Sequence, residues 1–274
     1  MRLSDFFQSS ETGCRTHSWT LVGQDPAMAS MDTLASALAD KIIEHQCRGC
    51  PHLYFAWKQR IDGGPPPSGV SKAALNVFIE ATFGLPSNPT PIPQDHLEGF
   101  VGQMLWYFLC LEISAEDVVR IESPGFKTTD PGGDGLVIHR TPAGHLMFRL
   151  REMKKFAQER GNVVSTVNVA YNQLNSRATE YLARYTATGQ EISDVELADF
   201  YGQLVELWID ARPEASAGVS ITTSSRHVSL QCFDAFGDHF PRFIDPIRLR
   251  GMLSAVEDFS LFCCKVRDFV WTGL

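Results

Sequence analysis

The sequence lacks a Gly-x-Ser-x-Gly elbow and a Gly-x-x-x-x-Gly-Lys loop, so neither a hydrolase triad nor a phosphate loop for ATP is indicated. It also lacks positive charge: 24 Lys and Arg stand against 32 Asp and Glu, for a net charge of −8. No global basic field therefore draws in nucleic acid, and any such attraction must be local or supplied by a metal or partner. Long apolar runs are missing too. The longest stretch, FVGQMLWYFLCLEI, is too short to span a bilayer and carries Glu112. The opening MRLSDFFQSSETG has no apolar core of the kind a signal peptide needs. Seven cysteines, odd in number and unevenly spaced, do not form a disulfide framework, and Cys263-Cys264 inside SLFCCKVRDFVW read as buried free thiols. There is no repeat and no low-complexity segment. These absences lead us to expect a soluble, cytoplasmic protein with no membrane partner.

What is present is an ordinary folding composition, 44% hydrophobic and 20% charged over 274 residues, enough for one large domain or a core with a smaller N-terminal unit. Residues 1–25 read as loosely ordered. SMDTLASALADKIIEHQ reads as a helix, IDGGPPPSGV as the clearest linker, and SKAALNVFIEATFG as a helix stopped by Gly84. A second Pro-rich connection, LPSNPTPIPQ, sets an expected boundary near residue 90, separating a mainly helical region (1–90) from an α/β domain (91–274). In that domain DHLEGFVGQMLWYFLCLE places Leu97, Val101, Met104, Leu105, Phe108 and Leu111 on one helical face. Strands follow at DVVRIESPGF, DGLVIHR and LMFRLREMKK, the last two joined through TPAGH as a hairpin. A long helix, STVNVAYNQLNSRATEYLARYTATG, comes next, then a helix at VELADFYGQLVELWID and a buried strand at SAGVSITTSS. The tail MLSAVEDFSLFCCKVRDFVW reads as a final amphipathic helix.

The chemistry concentrates at Glu152-Met153-Lys154, which holds the single Glu-x-Lys of the chain, with no Asp-x-Lys anywhere. It ends an alternating strand, and Asp134 precedes it by seventeen intervening residues in the turn GGDGLVIHR. A hairpin centred on residues 142–144 puts Asp134 roughly opposite Glu152. Alternation sets Glu152 and Lys154 on one face at a polar strand edge, with Met153 on the other. Mg²⁺ or Mn²⁺ takes hard oxygen ligands, one or two of them protein carboxylates. Asp134, Glu152 and the main-chain carbonyl of Met153 could supply them. Such a metal lowers the pKa of its bound water, and Lys154 could orient that water or offset phosphorane charge.

Asp134 followed by Glu152-x-Lys154 resembles the PD-(D/E)XK nuclease superfamily over roughly residues 95–225, with Gly133-Asp134 where the name motif has Pro-Asp. Asp130, before Pro131, is the competing acid. The resemblance implies an α/β fold with a PD-(D/E)XK-like core: a central mixed β-sheet flanked by helices, in the order helix, three strands, helix, strand. N-terminal and C-terminal helical decorations surround it. It further implies a nuclease of restriction or antiphage defence, acting on DNA ahead of RNA. A helicase-type subunit as partner, or a homodimer, would suit the decorations. It also suggests Glu98, in the first turn of the preceding helix, as a metal ligand, although Asp95-x-x-Glu98 equally has the form of a capping box. A catalytically silent scaffold or nucleic-acid-binding subunit is the alternative function.

On the following helix Gln173, Arg177, Glu180 and Arg184 form a polar stripe. Arg177 and Arg184 are candidate phosphate contacts and Gln173 could face the site in nucleic-acid binding, while Glu180–Arg184 equally has the form of an ordinary i,i+4 pair, the favoured reading for Arg184. Lys155, Arg149 and Arg151 are the candidate local basic patch. His45, Cys47, Cys50 and His52 hint at zinc, but one Cys-x-x-Cys is half a structural site and four ligands within eight residues are awkwardly close. His139 and His145 flank the hairpin turn and are expected to face solvent.

Overall fold

A computed structural model describes residues 2–88, 92–113, 117–122 and 135–274. Strands β1 (Phe7–Gly13) and β2 (Ser18–Gln24) open the chain, followed by α1 (Met31–Gln46), α2 (Pro51–Ile61), α3 (Gly69–Phe83) and α4 (Gln94–Ile113). Strands β3 (Asp117–Ile121), β4 (Gly135–Arg140) and β5 (Leu146–Phe156) lead to α5 (Val164–Thr188) and α6 (Val195–Ile209). The chain then runs through β6 (Ala215–Ser224), α7 (Phe236–His239), β7 (Leu249–Val256) and α8 (Phe259–Thr272). The fold is α/β, a mixed seven-stranded sheet in the order β1-β2-β7-β6-β5-β4-β3. Its four central strands, β2, β7, β6 and β5, are mutually parallel, and both edges are antiparallel.

Local chemistry explains the boundaries. Ser30 Oγ accepts from the Thr33 amide to start α1, and Asp194 and Asp258 do the same for α6 and α8. Gly84 closes α3 at φ +67°, a conformation open to glycine. Gly144, at φ +87°, turns the β4–β5 hairpin, whose ladder runs from Arg140–Leu146 to Gly135–Arg151.

Alternation in the strands divides the core. Leu136, Ile138, Phe148, Leu150 and Phe156 face α5, α6 and α7. Val137, Met153 and Met252 face the layer of α1–α4 and α8. Helix α4 lies within that layer, and eleven of its residues from Leu97 to Leu109 are buried, so it has no single apolar stripe. Leu111, expected on its inner face, is half exposed. Leu105 is wholly buried, and its truncation to alanine should cost about 2–5 kcal/mol.

Two expectations are corrected. Residues 7–24 are a hairpin, not a loose segment. Strand β1 reads as loop because it is the sheet edge and six of its seven residues are exposed. In the tail, residues 249–256 form β7 and only Phe259–Thr272 are helical. A short apolar run buried on both faces fits either element, and here a place between β2 and β6 decides for strand. Because β2 pairs with β7 and α1 packs on α8, segments on both sides of residue 90 share one sheet and one helical layer. Among the described residues no helix is long and apolar enough to cross a membrane.

Candidate active site around Glu152 and Lys154

Strand β5 is central, with β4 on one side and β6 on the other. The described β4 ladder stops at Gly135–Arg151, while pairing with β6 continues through Glu152–Val219, Lys154–Ile221 and Phe156–Thr223. The Glu-x-Lys motif thus begins one residue beyond the last described β4 pair. Asp134, and the competing Asp130, lie outside the described residues. Gly135 has a packing reason: a Cβ there would meet the Trp106 ring at 2.8 Å.

Glu152 is not at a polar edge but fully buried, whereas the Lys154 side chain is 26% exposed. The Lys154 amine donates to Glu152 Oε1 at 2.5 Å. A recessed carboxylate beside an amine at the strand's open end is a strong charge-assisted contact. It fits a hard cation in donor chemistry, with Glu152 offering oxygen. Among the described residues, no group of three or more His, Cys, Asp or Glu is arranged to hold a metal.

Helix α5 supplies the neighbouring wall. Gln173 Nε2 donates to the Tyr181 hydroxyl at 3.0 Å, and the Arg177 guanidinium lies 5.0 Å from the Tyr181 ring centre. Arg177 makes two hydrogen bonds to Glu180, both 3.2 Å, and Glu180 also accepts from Arg184. The Glu180 hydrogen bonds hold the Arg177 pKa above its ordinary value, aided by Tyr181 and more distantly by Glu152. Gln173 and Arg177 therefore stand on the Glu152 side of the sheet.

Glu98 and Lys155 do not join them. Lys155 follows Lys154 and so points to the opposite face, where its amine reaches Glu98 at 2.6 Å and Asp95 at 2.8 Å. Glu98, buried, also accepts from Ser260 at 2.8 Å and Gln94 at 3.2 Å. Helix α4 already begins at Gln94, so Asp95 lies inside it and its carboxylate binds Lys155 instead of capping the helix. Burial opposes the Lys155 charge, but the bonds to Asp95 and Glu98 outweigh it and raise the amine pKa. The same Lys155 hydrogen bond lowers Asp95.

The expected basic patch is likewise turned inward. Arg149 and Arg151 are 1% and 7% exposed, since alternation puts them with Lys155 under α4. Arg149 donates to the Ile247 carbonyl at 2.9 Å, and Arg151 donates to Ser220 Oγ at 3.1 Å and lies over Trp106. His139, expected in solvent, is buried on the same face, while His145 is exposed. His45 packs on Tyr107 and Phe108, and burial pushes the Cys47 thiol up to about 11.

On the α4 side of the sheet, the face opposite Glu152, a cavity of about 260 Å³ opens between α4 and the ends of β5 and β6, lined by Asp95, Gln103, Trp106, Met153, Lys155 and Thr222 among others. Trp106 and Ser220, on the α4 side of the sheet, and Tyr181, on the apolar face of α5, read from the sequence as core positions. No family model matches this sequence, and no curated protein matches it.

Proposed function

We propose that this chain is a metal-dependent nuclease of the PD-(D/E)XK kind, hydrolysing phosphodiesters of DNA in preference to RNA. One observation carries the reading: the buried Glu152 and its partner Lys154 lie on β5 where the described β4 ladder stops and parallel pairing with β6 continues. The order α4, β3, β4, β5, α5, then β6 after the inserted helix α6, follows the order the resemblance implied apart from that insertion, and it supports the reading.

In this proposal Glu152, the Met153 carbonyl and Asp134 would hold Mg²⁺ or Mn²⁺. Asp134 is taken from the sequence as the residue joined to Gly135, which pairs beside the motif. When bound, the ion supplies Lewis-acid stabilisation of a phosphate oxygen and a more acidic water. The Lys154 ammonium orients the attacking water and offsets charge as the bond from water oxygen to phosphorus forms and the bond to the leaving oxygen breaks. Gln173 and Arg177 steady the flanking phosphate from α5. A role in antiphage defence, with a helicase-type partner or as a homodimer, rests on the resemblance alone.

The test is cleavage of supercoiled DNA, linear DNA and single-stranded RNA with Mg²⁺ or Mn²⁺, wild type against Glu152→Gln. Metal-dependent cutting lost in the variant is the expected result. Equal cutting by both proteins would sink the assignment.

A silent scaffold is the second reading, favoured by the inward commitment of Arg149, Arg151 and Lys155, which leaves the motif little surrounding basic surface. Mg²⁺ that raises the melting temperature of wild type but not of Asp134→Asn would argue against it.

A further inference from the structure

The two edges of the sheet are not alike. Strand β3 ends one side with a register shift between Val118 and Arg120, an irregularity that bends a strand away from a would-be neighbour. Strand β1 ends the other side without one: all seven residues from Phe7 to Gly13 pair with β2 in unbroken antiparallel register. It contains no proline, lysine or arginine, residues that ordinarily blunt an edge. Six of its seven residues are exposed.

The hydrogen-bonding phase of β1 follows from the two ends of its hairpin. The Cys14 amide donates to the His17 carbonyl at 2.9 Å, and the Asp25 amide donates to the Phe6 carbonyl at 2.9 Å. Bonded pairs alternate along an antiparallel ladder, so Gln8, Ser10 and Thr12 turn their main-chain groups to β2. Ser9, Glu11 and Gly13 turn theirs outward, where no strand among the described residues receives them. At Phe7 the carbonyl is the outward group, because the amide donates to the Ser4 carbonyl.

This spacing is self-complementary. When two β1 strands run antiparallel about a two-fold axis through Ser10, Ser9 of one copy falls opposite Glu11 of the other, and Gly13 falls opposite Phe7. Each outward residue then meets an outward residue. Ser10 meets its own counterpart at a non-bonded position, where Cα atoms approach to about 4.5 Å. Charge agrees with this register. Glu11 is the single charged residue of β1, is paired with Arg250 of its own sheet and falls opposite a serine, so no like charges meet across the axis.

We propose that the β1 edge is a homodimer interface, at which a second copy of this chain adds its own β1 antiparallel to make one continuous sheet across a two-fold axis. The irregular β3 edge offers no such surface, so assembly closes at two copies. The interface stands apart from Glu152 and Lys154 on β5, with β2, β7 and β6 between.

Sedimentation equilibrium of the full chain over a range of concentrations tests this. Wild type should be a reversible dimer. Ser9→Pro removes an outward amide from both copies while keeping the bonds to β2, and should weaken association by roughly tenfold or more. Ser10→Lys and Ser10→Asp should each associate less well than wild type, because like charges meet on the axis, and an equimolar mixture of the two should recover the dimer. That recovery decides the matter if Ser9→Pro folds poorly, since mixing does not repair a folding defect. A wild type that stays monomeric at every concentration, association that continues past the dimer, or a dimer indifferent to Ser9→Pro and to the charges placed at Ser10 would overturn the proposal.

Discussion

Lys154 donates to Glu152 at 2.5 Å, and the carboxylate it serves has no exposed surface. Removing either partner therefore has a structural cost as well as a chemical one. Lys154→Met takes a charge-assisted partner from a buried carboxylate, and breaking such a pair costs up to about 3–5 kcal/mol. Glu152→Gln keeps the shape and removes the charge, so it should retain more stability while abolishing cleavage. Melting temperatures and plasmid cleavage, measured together, check this. A Lys154→Met protein as stable as wild type would contradict the pair as described.

The Lys155 network predicts a pH window. The Asp95 pKa is lowered by its bond to Lys155, so its stabilising contribution is present above the ordinary carboxylate value, about 3.9, and fades as pH falls through the lower folded value. The Lys155 pKa is raised, so its contribution is full below the ordinary lysine value, about 10.4, and is lost as pH rises through the higher folded value. Lys155→Met should therefore lower the melting temperature most between those limits, with the difference narrowing at both ends. A deficit that stays constant from acid to alkaline pH would mean the methionine acts through packing.

These two lysines also show how far the sequence could be read. Period-two alternation correctly separates Lys154 from Lys155, and Gly144 with its flanking strands marks the hairpin that orients them. Alternation does not say which face is covered. Arg149, Arg151 and Lys155 look like an outward basic patch until α4 is known to lie over them. The same gap hides β1, whose polar side chains suit an edge strand and a loop equally. Strand β7 is obscured for the opposite reason, since burial on both faces removes alternation altogether. The register that aligns Arg151, Gly218 and Arg250 joins strands far apart in the chain, and no local pattern encodes it.

Arg177 separates a role in binding from a role in folding. Its guanidinium is exposed and bonded to Glu180 on its own helix, an arrangement that adds little to stability. Arg177→Gln should leave the melting curve unchanged and reduce cleavage or nucleic-acid affinity, with a weaker dependence of binding on salt. If substrate affinity and its salt dependence match wild type, α5 has no part in holding phosphate.

The thiols should differ sharply in reactivity. Cys14 is exposed in the turn after β1, with its sulfur 3.1 Å from Thr16 Oγ1 and 3.4 Å from His17 Nδ1. Partial burial would raise its pKa, but hydrogen bonds from the Thr16 side chain and the Thr16 and His17 main chain outweigh that and lower it. Burial instead pushes Cys47 up to about 11 and Cys232 up to about 12, and raises Cys263 as well. Since the thiolate is the nucleophile, iodoacetamide near neutral pH should alkylate Cys14 well before those three. Thr16→Val should slow the reaction at Cys14 by removing a hydroxyl that favours the thiolate. Peptide mapping over a time course checks both statements. Cys47, Cys232 or Cys263 labelled first would require the native protein to open its core faster than the reagent reacts at the β1–β2 turn.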